Sequence, residues 1–296
     1  MSSTRELKRR IRSVQNTKQI TKAMEMVAAA KLRRAEARVV ANRPYTKKLY
    51  QYITRLMAYS PPVQHPLLAD GQSDDSASAA SAGKSYLVIT SDRGMCGGFN
   101  ANILRQSTHE IGGDTGAQVM VVGRKGRDYF RRRGQALLSE YIYLDDSPAW
   151  HDLRSIGEYA IQMYNEGVIG EMHLVYNEFI NALQSRTVVQ KILPVEPPGA
   201  DELPEPEETL YFRYEPGPEE VLDQLLPRFI YNSVYAAVLE SKAAEHGARM
   251  SAMSAATRNA DDMIDSLTNT YNQARQAAIT QEILEIVNSA EALSQG

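Results

Sequence analysis

A single cysteine, Cys96, occurs in the 296 residues, so neither an intrachain disulfide nor a cysteine-only metal site can form. No apolar run approaches the ~18 residues that span a bilayer. The opening stretch, MSSTRELKRRIRSVQN, lacks the apolar centre of a secretory leader, so export is not expected. The five histidines are scattered without metal-ligand spacing, and no metal site is expected. No paired carboxylates stand out, and Cys96 carries no local signature of a nucleophile. These absences predict no catalytic residues. Residues 5–57 also lack glycine and hold one proline, Pro44.

What is present is a charge asymmetry hidden under a net charge of −3. Residues 5–55 carry fifteen Lys or Arg against three Glu, whereas residues 219–296 carry eleven Asp or Glu against five Lys or Arg. The basic end is rich in helix formers. Its apolar positions, Leu7, Ile11, Val14, Ile20, Met24, Val27, Leu32, Ala35, Val39, Leu49, Ile53 and Leu56, step by threes and fours along one drifting stripe. A helix this long would reach about 80 Å at ~1.5 Å per residue, with a bend or break expected at Pro44. The acidic end reads as a short helical piece before Pro227, then a second long helix over 228–293. Its large apolar residues are Met263, Ile264, Leu267, Tyr271, Ile279, Ile283, Ile286 and Val287.

Two long stripes of opposite charge predict a pair, since a stripe repeating every 3.5 residues buries itself against a partner helix. Between them the texture differs. Residues 60–85, rich in Ser, Ala, Asp and Pro, read as a mobile linker. From Tyr86 to Tyr214 the runs YLVIT, QVMVVG, EMHLVYNEF, TVVQKIL and LYFRY read as strands. They alternate at first with helices near 100–112, 124–133 and 152–167, the pattern of an α/β domain. The expected division is therefore 1–58 helix, 59–85 linker, 86–215 α/β domain and 216–296 helix.

Two stretches suggest phosphate sites and fail in detail. In SDRGMCGGFN the glycines Gly94, Gly97 and Gly98 do not have G-x-G-x-x-G spacing, and the next strand ends on Arg124 and Lys125 where a ribose-binding acid belongs. SAASAGKS (78–85) has Ser78 in place of the first P-loop glycine and precedes its strand instead of following it. No nucleotide or other cofactor is expected. Clustered Lys and Arg could neutralise nucleic-acid phosphates, but an acidic partner helix is built into the same chain, and no nucleic-acid partner is expected.

The segments IRSVQNTKQITKAMEMVAAAKLRRAE (11–36), SDRGMCGGFNANI (91–103) and RNADDMIDSLTNTYNQARQAAITQEILEIV (258–287) closely resemble the gamma subunit of F-type ATP synthase. The chain departs from that family's C-terminal signature at Ser289-Ala290, where Gly-Ala is usual. The resemblance implies a long antiparallel coiled coil of the terminal helices with an inserted Rossmann-like α/β domain that holds no nucleotide. It implies a non-catalytic rotor shaft of a proton-translocating ATPase, turning inside a ring of alpha and beta subunits. Further implied partners are the epsilon subunit and the membrane ring of c subunits, through which alone the chain would meet a membrane. Arg275, Gln276, Thr280 and Glu282 match family positions that engage beta-subunit loops, and Met24 matches one facing an acidic beta loop. A bacterial plasma-membrane complex, on its cytoplasmic side, is the expected setting. One cysteine cannot supply the dithiol switch of chloroplast relatives. Two other readings remain at this stage: a coiled-coil scaffold that does not turn, and a nicotinamide-dependent enzyme.

Overall fold

The computed structural model describes residues 4–59, 65–69, 83–112, 116–196 and 214–294. The chain forms two compact bodies, one of Met1–Ala28 with Met250–Gly296 and the other of Ala29–Arg249. Helix α1 spans Thr4–Tyr59 and α5 spans Pro218–Ser294. Between them run β1 (Lys84–Ile89), α2 (Phe99–Gly112), β2 (Gln118–Val122), α3 (Arg124–Arg132), β3 (Leu137–Tyr141), α4 (Trp150–Asn165), β4 (Glu171–Phe179) and β5 (Ser185–Leu193). The ends are thus helical and the middle is a mixed sheet with helices, as the sequence predicts.

Within Ala29–Arg249 the strand order is β3-β2-β1-β4-β5, with four parallel strands and β5 antiparallel to β4. That is the order of a doubly wound sheet up to its fourth strand. Alternate residues of the central strands enter two separate cores. Leu87, Ile89, Met120, Val122, Met172 and Leu174 pack under α4 and the parts of α1 and α5 in this body. Tyr86, Val88, Val119, Val121 and Val175 pack with Phe99, Ile103 and Leu104 of α2 and Phe130 of α3. A sheet covered on both faces needs strands buried on both sides, which explains the unbroken apolar runs.

Both prolines expected to interrupt helices lie inside them: Pro44 in α1 and Pro227 in α5. Each forfeits one backbone hydrogen bond and crowds the preceding turn, a cost of ~3 kcal/mol. Packing offsets it. Leu49, Ile53 and Leu56 share a core with Leu222, Leu226, Phe229 and Ile230, which pins α5 on both sides of Pro227 and α1 after Pro44, while Val39 is buried before Pro44. Pro218 occupies the first helical position, where its missing N–H costs nothing, with Glu219 and Glu220 facing the positive helix end.

Strand β3 does not announce itself in the sequence, because LLSEY lies on the sheet edge with every residue only half-buried. Most of the expected linker, and LYFRY apart from Tyr214, lie outside the described residues. Within the linker stretch, however, Leu67 and Leu68 are buried in the core and Leu68 bridges to Val195.

Candidate partner interface

In the body made of the chain ends, α1 and α5 meet antiparallel. Thr257 donates its hydroxyl hydrogen bond to Thr21 at 2.8 Å, and Lys18 pairs with Asp261. As the residue number falls by three on one helix it rises by four on the other. Coverage along α1 recurs at Thr4, Leu7, Ile11, Val14, Lys18, Thr21, Glu25 and Ala28. On α5 it recurs at Met253, Thr257, Ala260, Ile264, Leu267, Tyr271 and Ala274. Both series alternate steps of three and four.

The seam differs from the stripe expected on apolarity alone. Ile20 and Val27 are more than half exposed, whereas Thr21 and Ala28 are buried in their place. Small side chains at the seam let helix axes approach toward the lower end of the ~8–10 Å range. Met24 is half-buried beside the seam, neither enclosed by it nor facing water fully. Charge pairing across this part of the seam is sparse: besides Lys18–Asp261, the Arg10 and Lys22 cations bind Glu6 and Glu25 of their own helix. Arg5, Lys8, Arg9 and Arg12 are exposed. The basic excess therefore points outward more than toward α5.

The register also sets where pairing ends. Thr4, the first described residue of α1, falls opposite residues 274–275 of α5. Coverage on α5 stops there, and every residue from Arg275 to Ala290 is exposed. Ile279, Ile283, Ile286 and Val287, expected in the seam, instead form an exposed stripe at helical spacing, Ile286 at 69 %. Arg275, Gln276, Thr280 and Glu282 all lie on this unpaired tip. Thr280 returns its hydroxyl to the Gln276 carbonyl at 2.9 Å, which leaves the other three polar heads pointing outward. The structure brings these four together on one helical segment; Met24 sits apart on α1.

The glycine turn after β1 is occupied by the chain itself. Asp92 accepts from the backbone N–H of Arg124 at 2.9 Å, and the Thr90 hydroxyl accepts from the N–H of Gly126 at the same distance. Those amides open helix α3, where a phosphate would otherwise find donors. Ser91 and Asn100 exchange hydrogen bonds at 2.8–3.1 Å, and Asn100 donates to the Cys96 sulfur. Burial pushes the Cys96 thiol above its ordinary pKa. Lys84 and Ser85, the end of the P-loop-like string, lie in strand β1. Among the described residues no His, Cys, Asp or Glu cluster could hold a metal ion, and no helix is long and apolar enough to cross a membrane.

The comparisons bear on what this surface meets. A family model described as ATP synthase matches residues 3–293. The ATP synthase gamma chain of Desulforamulus reducens is 46 % identical, over 99 % of this chain and all of that one. That of Heliobacterium modesticaldum is 43 % identical with the same coverage. Among solved structures, a chain of the Euglena gracilis mitochondrial ATP synthase OSCP/F1/c-ring assembly superposes with a TM-score of 0.67 at 20 % identity, covering 98 % of this chain and 94 % of that one. A chain of the rotor from the same source gives 0.63 at 19 % identity, covering 93 % and 98 %. With a family match over nearly its whole length and relatives above 40 % identity from end to end, this chain belongs to the ATP synthase gamma chain family.

Proposed function

We propose that the chain is the central rotor shaft of an F-type proton-translocating ATP synthase. It couples rotation of a membrane ring of c subunits to conformational change in catalytic beta subunits. It is not itself the catalyst. The observation that carries this reading is the tip: α5 runs on past the end of its pairing with an apolar stripe that none of the described residues covers. A lone helix with Ile279, Ile283, Ile286 and Val287 exposed suits a surrounding collar of other subunits, not water.

The alternating three-and-four spacing of the seam supports a coiled coil of the two ends. The divisions 1–58, 59–85, 86–215 and 216–296 are proposed on the same footing, with the Rossmann-like middle meeting the epsilon subunit and the c ring. Arg275, Gln276, Thr280 and Glu282 would engage beta-subunit loops, and Met24 would slide past an acidic one. A methionine there offers contact area without an ionic lock. One shaft cannot match the three-fold symmetry of a ring of alpha and beta subunits, so each catalytic subunit meets a different face. Contacts that differ between states are what shift a conformational equilibrium, and the coupling runs in both directions. The bacterial relatives support a plasma-membrane complex with this chain on its cytoplasmic side.

Affinity purification of the full chain from its own cells tests the reading. Nucleotide-binding alpha and beta subunits should co-purify in a complex whose ATP hydrolysis turns a bead fixed to this chain. A complex that hydrolyses ATP while the chain stays still would leave only a static scaffold.

A further inference from the structure

A cluster of charged groups, buried on α5 and open to solvent at Asp146 and Lys31, lies in the Ala29–Arg249 body where four elements converge. Helix α5 contributes Lys242, Glu245, His246 and Arg249, the loop after β3 contributes Leu144 and Asp146, the loop after β1 contributes Gly94, and α1 contributes Lys31. His246 is only 2 % exposed. Arg249 lies at its hub. One guanidinium nitrogen donates to Glu245 at 2.7 Å and to the Gly94 carbonyl at 3.4 Å, while the other lies 3.3 Å from Nδ1 of His246.

A guanidinium only donates, so Nδ1 must accept and carries no proton. The proton of the neutral ring is then on Nε2. That atom faces Asp146 Oδ1 at 3.5 Å and has no hydrogen-bond partner. Asp146 is itself held by Lys31 at 2.5 Å through its other oxygen. Lys242 stands 4.0 Å from Glu245 and 3.5 Å from the Leu144 carbonyl. The ring is thus wired for one protonation state: its acceptor is used, its donor is poised beside a carboxylate, and cations stand nearby.

We propose that His246 is a proton-operated latch, which holds the loop after β1 onto α5 while the ring is neutral and frees it when Nδ1 takes up a proton. Protonation sets an N–H of the imidazolium against an N–H of Arg249 and places two cations side by side. Arg249 loses its acceptor and withdraws toward Glu245, which removes the donor from the Gly94 carbonyl. The imidazolium draws its Nε2–H onto Asp146 Oδ1, the oxygen that Lys31 leaves free. Asp92 and Ser91 keep the start of the loop fixed through Arg124, Asn100 and the Arg93 carbonyl, and Cys96 is buried and held by Asn100, so release is confined to Gly94 and Met95.

The direction in pH follows. Burial holds His246 below its ordinary value of 6.5, outweighing the attraction of Glu245 and Asp146. The unfolded chain therefore binds the proton first as pH falls. The latch contributes fully above 6.5, and its contribution is lost as pH drops from there through the lowered folded value.

Nitrogen-15 relaxation dispersion of the full-length chain tests this. The exchange contribution to amide relaxation at Gly94 and Met95 should rise more than about threefold as pH falls from ~7.5 to ~5.5. In His246→Gln, whose amide oxygen still accepts from Arg249 but cannot titrate, the rise should stay below about twofold. Equal rises in both chains would overturn the proposal. Nitrogen-15 resonances of the imidazole in the unmodified chain give an independent reading. The Nε2–H tautomer at pH ~7.5 supports the latch, and an Nδ1–H tautomer or an imidazolium at that pH refutes it.

Discussion

Gly123 shows how one residue can be fixed by backbone geometry. It has φ of 92°, and an added Cβ would sit 2.2 Å from the Thr90 carbonyl oxygen. Gly123→Ala combines a left-handed conformation with a backbone clash and should cost about 2–4 kcal/mol, read as a lower urea midpoint at unchanged slope. In the sequence this glycine is one among 18, since nothing local says that β1 lies against it. Met24 is the reverse case. Its motif was legible, but its half-covered place beside the seam was not, because apolar spacing cannot separate a seam residue from its neighbour. Met24→Lys leaves room for the long side chain to reach water, so folding should hold. If Met24 faces an acidic loop, the new cation resists slipping and lowers the protons pumped per ATP hydrolysed; unchanged pumping would remove Met24 from the interface.

Among the elements, the long helices were legible because propensity and period agree over many turns. The errors came where tertiary packing overrode a local rule. Pro227 reads as a break and Pro44 as a bend or break, yet each helix runs on through its proline, and LLSEY is too short and too mixed to show as a strand. Ile20 and Val27 drew the stripe one residue off, since the true seam admits Thr21 and Ala28, which no hydrophobicity count would favour. The buried Thr21–Thr257 contact gives a test at this scale. Thr257→Val alone removes the donor to the Thr21 hydroxyl, which keeps its own bond to the Lys18 carbonyl, and should cost about 1 kcal/mol. The double change Thr21→Val with Thr257→Val should cost less than the sum of the two single changes. A double-mutant cycle by denaturant unfolding checks it, and additive losses would mean that the hydroxyls do not interact.

On the scale of the whole molecule, the family was readable from three well-spaced motifs, while the end of pairing at Ala274 needed the register of two helices and could not be read from either alone. Deleting residues 280–296 should leave folding intact, because residues 280–290 are all exposed, yet weaken assembly or torque. Rotation under viscous load measures this; an undiminished stall torque would show the tip to be dispensable. Where two helices run together, twisting one strains the other, and the pair is torsionally stiff. Past Ala274 a single helix has no such brace and yields to torque more readily. In a turning machine, the braced length would pass on more torque for the same twist than the slender end.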